Sequence, residues 1–219
     1  MMNRKQKIGI VALLAAAFFF VSPPVLRAYE GTIILCYHDV PKEVDLDNTG
    51  VDQKSLIDTI EYFKMHGYTF ISLDDLIQSK NGDKELPEKT ILLTFDDAYD
   101  SFYDFVYPLL EEYEIPSMLA VVTNWIDGER PEYVMHPLMN WDQIREVAES
   151  PYVEVVSHSQ NLHTGITYNP QGNKAAAAVS RAFDTQTGTY ESREAYQERV
   201  YADLKMSKEI LEEKTGQAI

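Results

Sequence analysis

Two adjacent carboxylates close the apolar run in ILLTFDDAYDSF (91–102), where Asp96 and Asp97 stand side by side. Each ionised neighbour raises the other's pKa, so the pair stays charged cheaply only beside something positive, and a bound cation is one such partner. Along a strand the two side chains would point to opposite faces. At a strand's C-terminal end, where the backbone turns, both can converge on the rim where βα sites are built. The pair alone also fits a plain structural use, with Asp97 capping the next helix and Asp96 facing solvent.

A second group favours the metal. The stretch VVSHSQNLHTG (155–165) also follows a strand-like run and carries His158 and His163. On a helix, residues five apart point about 140° away from each other. A loop is therefore needed to bring both imidazoles to one ion, and Thr164-Gly165 suits a loop. Two histidines and one acid are three ligands of the kind a catalytic zinc site uses, with a fourth position left open for water. Zn2+ is the expected ion, and Co2+, Ni2+ or Fe2+ are compatible with the same donors.

The elements that must hold these residues alternate. Thr32–Tyr37 reads as a buried strand, and Asp52 caps a helix with Leu56, Ile60 and Phe63 on one face that ends at Gly67. Tyr68–Ser72 returns as a strand, Leu73–Gln78 as a short helix, and Thr90–Phe95 as a strand apolar enough to be covered on both faces. Ser101–Tyr113 is expected to be helical, kinked or split at Pro108. Ser117–Val122 and Val153–Val156 read as strands flanking a helix that Asn140 caps and that runs to Glu149. This is an α/β pattern with a parallel sheet, open or closed into a barrel. From Thr164 to about Thr189 the alternation lapses, with a brief helix expected at the Ala175–Ala178 tract, and Ser192–Lys214 reads as one long charged helix. TGQAI at 215–219 looks like the approach to a further strand, so closing strands are expected beyond Ile219.

The N-terminus has another layout. Arg4, Lys5 and Lys7 precede an uncharged apolar run from Ile8 to Val21, followed by Ser22-Pro23-Pro24 and Arg27-Ala28. This is the pattern of a secretory signal peptide over 1–28, with an uncleaved anchor as the alternative. The protein is expected to be exported to the periplasm, cell surface or medium, with residues 29–219 as one domain. The single cysteine, Cys36, excludes an intrachain disulfide and is expected as a small buried side chain of the first strand. With 19 basic residues, less the four in 1–28, against 35 acids, the remainder is strongly anionic. Such a field repels nucleic acid and anionic membranes and suits neutral or cationic partners. No protein partner is inferred.

LTFDD followed by a strand and SHS…H resembles the polysaccharide deacetylases of the NodB-homology type, carbohydrate esterase family 4. The resemblance runs from about Gly31 to Glu213 and implies a distorted (β/α)7 barrel, of which the chain holds the N-terminal portion. It also implies that Asp96 is the general base and that Asp97, His158 and His163 are the metal ligands. The five-residue histidine spacing, where four is commoner in the family, together with CYHDV (36–40) and MNWDQIREVAES (139–150), is similar to the branch that deacetylates poly-β-1,6-N-acetylglucosamine, the PgaB and IcaB type. Metal-assisted hydrolysis of N-acetyl groups with release of acetate follows, the oxyanion being held by the metal and a backbone N–H near Ala98 or Tyr99. The family's usual glycine after the two acids is replaced by Ala98, and its later motifs, including the group that serves the leaving nitrogen, are expected beyond Ile219.

His38 and Asp39 end the first strand and share the rim, and Tyr99 follows the acids directly, so these are candidates for the pocket wall. Trp141 and Trp125 offer rings for stacking on sugars, although tryptophan more often serves a core. His66 is expected to serve a helix C-terminus, and His136, beside Pro137, is not expected at the rim. Alternative readings are a chitooligosaccharide or peptidoglycan deacetylase and a non-catalytic glycan-binding remnant. A glycosidase fits poorly, because its two acids belong on separate elements about 5 to 10 Å apart.

Overall fold

The computed structural model describes residues 31–44, 50–128 and 130–219, so the expected leader over 1–28 lies outside the described residues. At its centre is β3 (Lys89–Asp96), in which Thr90 to Phe95 are all buried. An unbroken apolar run of this kind can be covered on both faces, as parallel sheets require. It lies in one sheet in the order β1 (Gly31–Tyr37), β3, β4 (Ser117–Val122), β5 (Val153–Ser159), and the two-residue β2 (Thr69–Phe70) also pairs with β3. The β2/β3, β3/β4 and β4/β5 pairs are parallel, as the alternation predicts. Among the described residues no helix is long and apolar enough to cross a membrane.

Helices cover the sheet where the sequence signals place them. Asp52 caps α1 (Gln53–Met65) by accepting from the Ser55 N–H, Leu56 and Ile60 are buried, and Gly67 takes φ +75° just beyond the end. His66 closes this helix with its backbone and ring nitrogen on Tyr62 O, as expected of a C-terminal histidine. Leu73–Asn81 forms α2, three residues longer at its C-terminus than expected. The predicted break at Pro108 is real: a π-turn over Phe102–Val106 gives way to α3 (Tyr107–Tyr113), with Pro108 in its first turn, where a missing N–H costs nothing. Thr123–Ile126 is a short α4. Asn140 makes a reciprocal capping box with Gln143 at the start of α5 (Trp141–Ala148). The long helix α6 runs Arg193–Thr215.

Three expectations are corrected. The first strand is not buried: of Gly31–Tyr37 only Tyr37 is buried, because the strand flanks the sheet. Cys36 near its end is exposed rather than a core residue. The alanine tract is not helical, since Lys174–Ala176 is strand β7, antiparallel to β6 (Gly165–Thr167). A tract of four alanines is too short to close a stable helix, whereas pairing satisfies its backbone at once. A second small hairpin joins β8 (Phe183–Asp184) to β9 (Thr189–Tyr190). Arg199 of α6 ties this arm down through two 2.9 Å bonds to the Glu191 carboxylate and bonds to Ala177 O and Ser180 O.

Candidate functional site

The two acids stand at the C-terminal end of β3, Asp96 as its last residue and Asp97 as the first beyond it. Convergence depends on an unusual backbone. Asp97 has φ +73° and Ala98 φ +57°, both in the left-handed region that glycine favours. Each such residue costs about 1–2 kcal/mol, so the surroundings must over-determine the turn. They do: Asp97 N–H donates to Ala120 O (2.9 Å), Ala98 O accepts from Met139 N–H (2.9 Å), and Asp100 N–H donates to Pro137 O (3.0 Å). Tyr99 bridges Leu138 beside these bonds. The alanine where the family has glycine is thus a strained residue that is fully buried.

This turn drives the Asp97 side chain inward to 3% exposure, and its Oδ1 is a buried oxygen with no hydrogen-bond partner among the described residues. His158 Nε2 stands 3.8 Å from that oxygen. The His158 and His163 rings lie 5.0 Å apart, and one ligand atom from each of Asp97, His158 and His163 falls within 4.8 Å of the others. Burial pushes the Asp97 carboxyl up against the pull of the histidines, and burial pushes the His158 imidazole down, toward the neutral form that binds metal. An orphaned carboxylate oxygen facing two imidazoles is the donor set of a zinc-like cation, so the residues fit the ion. The expected loop is half right. His158 belongs to β5 itself, which extends past Val156 to Ser159, and His163 stands in the loop that follows.

That loop is held from several sides. Asp203 on α6 accepts from Gln160 N–H (2.9 Å) and Asn161 N–H (2.8 Å), Asn124 N–H donates to Gln160 O (3.2 Å), and Ser159 Oγ accepts from Leu162 N–H (3.2 Å). Trp125 is buried and meets the His163 ring edge to face at 4.9 Å, and Tyr133 OH donates to His163 O (3.2 Å). Sequence reading missed Asp203, Asn124 and Tyr133. No spacing links an acid in a long charged helix to a loop some forty residues earlier.

The weaker candidates separate. Asp96 is half-buried and accepts from the Cys36 thiol (3.3 Å), and His38 groups with these two. Asp39 turns inward, accepting from Ser101 Oγ (2.6 Å) and meeting His136 Nδ1 (2.5 Å), so His136 reaches this end of β1 after all. Tyr99 packs on Val122, Trp125 and Val134, and its phenol is pushed up to about 12 by burial and the nearby Asp97. Trp141 donates from Nε1 to Asp127 Oδ1 (2.9 Å), packs against the main core, and is not among the residues lining the cavity beside His163. That cavity, about 410 Å³, is walled by Tyr133, Leu162, His163, Lys174, Ala176 and Ala178. Its volume suits a small ligand or one or two sugar units.

Residues 83–219 match the family model for polysaccharide deacetylase. The chain belongs to the polysaccharide deacetylase family. Poly-β-1,6-N-acetyl-D-glucosamine N-deacetylase of Escherichia coli K12 is 33% identical over 195 residues, which is 85% of this chain and 29% of that protein. The protein of the same description from Staphylococcus epidermidis is 28% identical over 119 residues, 54% of this chain and 40% of that one. This family member thus spans well under two thirds of these curated relatives. Among solved structures, a de-N-acetylase from Aggregatibacter actinomycetemcomitans superposes with a TM-score of 0.75 at 30% identity, covering 85% of this chain and 76% of that one. The BpsB deacetylase domain of Bordetella bronchiseptica gives 0.73 at 37% identity, covering 86% and 77%. The deacetylase fold of NodB type expected from the sequence is therefore the fold this family member has.

Proposed function

We propose that this chain carries the metal-binding site of an exported N-deacetylase that removes acetyl groups from a β-linked N-acetylglucosamine polymer, poly-β-1,6-N-acetylglucosamine in particular. The observation that carries the proposal is the buried, unpartnered Oδ1 of Asp97 facing His158 and His163. Asp97, His158 and His163 would hold the divalent ion, Zn2+ first among the candidates. When bound, such an ion supplies Lewis acidity, lowering the pKa of water and polarising the acetyl carbonyl. Asp96, next in the chain and half-buried at the same corner, would take the proton of the attacking water as general base. Trp125 and the Tyr133 hydroxyl orient His163, and the cavity beside that ring would receive the sugar that bears the acetyl group. The substrate class is supported by the names of the relatives.

The test is acetate release from poly-β-1,6-N-acetylglucosamine, chitooligosaccharide and peptidoglycan, each with and without a chelator. Release from the first polymer, abolished by chelator and restored by Zn2+ or Co2+, is expected. The Asp96→Asn protein should keep its ion while kcat falls about 10²- to 10⁴-fold. Undiminished turnover in that variant would remove the base assignment, polymer binding without acetate would favour a glycan-binding role, and chelator-resistant release would remove the metal.

A further inference from the structure

A second group of potential ligands lies at the same end of the sheet. Cys36 and His38 are two residues apart at the end of β1, so their side chains leave on the same side. Both are exposed, and β1 lies next to β3, whose last residue is Asp96. The Cys36 Sγ is 3.3 Å from Asp96 Oδ2, and one ligand atom from each of Cys36, His38 and Asp96 falls within 4.8 Å of the others. None of the three belongs to the Asp97, His158 and His163 set.

We propose that Cys36, His38 and Asp96 form a second, thiolate-containing cation site that takes a thiophilic divalent ion such as Zn2+ or Cd2+. A sulfur, a nitrogen and an oxygen donor make a mixed set that soft and borderline cations prefer and that Mg2+ or Ca2+ do not. Tetrahedral bonds of about 2.0–2.3 Å place ligand atoms roughly 3.3–3.8 Å from each other. The thiol and carboxylate already stand at that separation, and His38, being exposed, has rotamer freedom to close on them. On coordination the thiol proton leaves to solvent. The thiol is free and exposed at a strand end, outside the buried core. A consequence rests on the reading of Asp96 as general base: an ion at this site occupies the carboxylate that must accept the proton, so zinc in excess of one equivalent inhibits.

Cobalt is the probe, because thiolate ligation gives it a near-ultraviolet charge-transfer band that nitrogen and oxygen ligands do not. The metal-free full chain titrated with Co2+ should take up two equivalents, one of them bringing the band. Cys36→Ser should bind one equivalent without the band, and Asp97→Asn should lose the other equivalent yet keep it. His38→Ala should weaken the band-forming step at least about tenfold. A wild-type titration that ends at one equivalent without the band overturns the site, as does loss of the band in Asp97→Asn or an unshifted midpoint in His38→Ala. These readouts need no substrate, so they stand apart from the deacetylase assay. Within that assay, inhibition by excess Zn2+ that persists in Cys36→Ser overturns the inhibitory role.

Discussion

The β3 corner and the hairpin arm over 165–190 are built in opposite ways. At the corner, six consecutive residues of β3 are buried, two residues run in the left-handed region, and one carboxylate oxygen is sealed from water without a partner. The arm has two short hairpins and many exposed residues, and one arginine of α6 bonds to two carbonyls within it and to the Glu191 carboxylate just past its end. Chemistry that needs a fixed, desolvated ligand is placed where packing can hold strain. The arm beside the cavity is held by polar bonds, which can shift without disturbing the core.

The largest break in this contrast is Asp97→Asn. Its affinity for Zn2+ or Co2+, read by calorimetry, should fall by more than about a hundredfold, since even loss of an outer-shell partner of a metal ligand costs 10- to 100-fold. The metal-free variant should melt no lower than its parent by differential scanning calorimetry. The pKa of Asp97 is pushed up by burial, so its ionised form destabilises the fold until an ion arrives. Next comes Asp203→Ala, which frees the two loop amides before His163 and should weaken metal binding about 10- to 100-fold by the same measurement. Removing the arm's arginine, Arg199→Ala, should lower stability to urea by about 2 kcal/mol and raise KM more than it lowers kcat.

The same arm has an acid limit. The Arg199 guanidinium holds the Glu191 carboxyl below its ordinary value, so its stabilising effect is complete above the unfolded carboxylate's pKa of about 4.3 and disappears as pH falls through the lower folded one. Pepsin cleavage within 165–190 should therefore rise only in that acid range, and Arg199→Ala should remove the pH step. The smallest effect has the opposite sign. Ala98→Gly relieves a left-handed alanine and should raise stability by about 0.5 kcal/mol, the strain relieved less the extra freedom glycine gives the unfolded chain.

Much of the sheet was legible because its strands carry their own signals. Ser117–Val122 is found as read, and Thr90–Phe95 extends by one residue at each end. The caps at Asp52 and Asn140 each bind the amides that their side chains suit. The sequence also brought Asp97, His158 and His163 together, because acids and imidazoles after strands meet at one end of a parallel sheet. Cys36 was misread because alternation along a strand says which side a residue faces, not whether anything covers that side. Asp39 and His136 pair across 97 positions through loop geometry that no period encodes. The positive φ at Ala98 left one trace in the sequence, an alanine where the family has glycine.

Asp203 and Ser207 lie one turn apart on the same face of α6. Asp203 grips the amides of Gln160 and Asn161, while buried Ser207 meets Ser157 Oγ at 2.7 Å. A slip of this rod by one residue would turn that face by about 100° and release strand and loop together. Heating should therefore expel the ion as α6 frays, while the central strands still exchange their amide protons slowly.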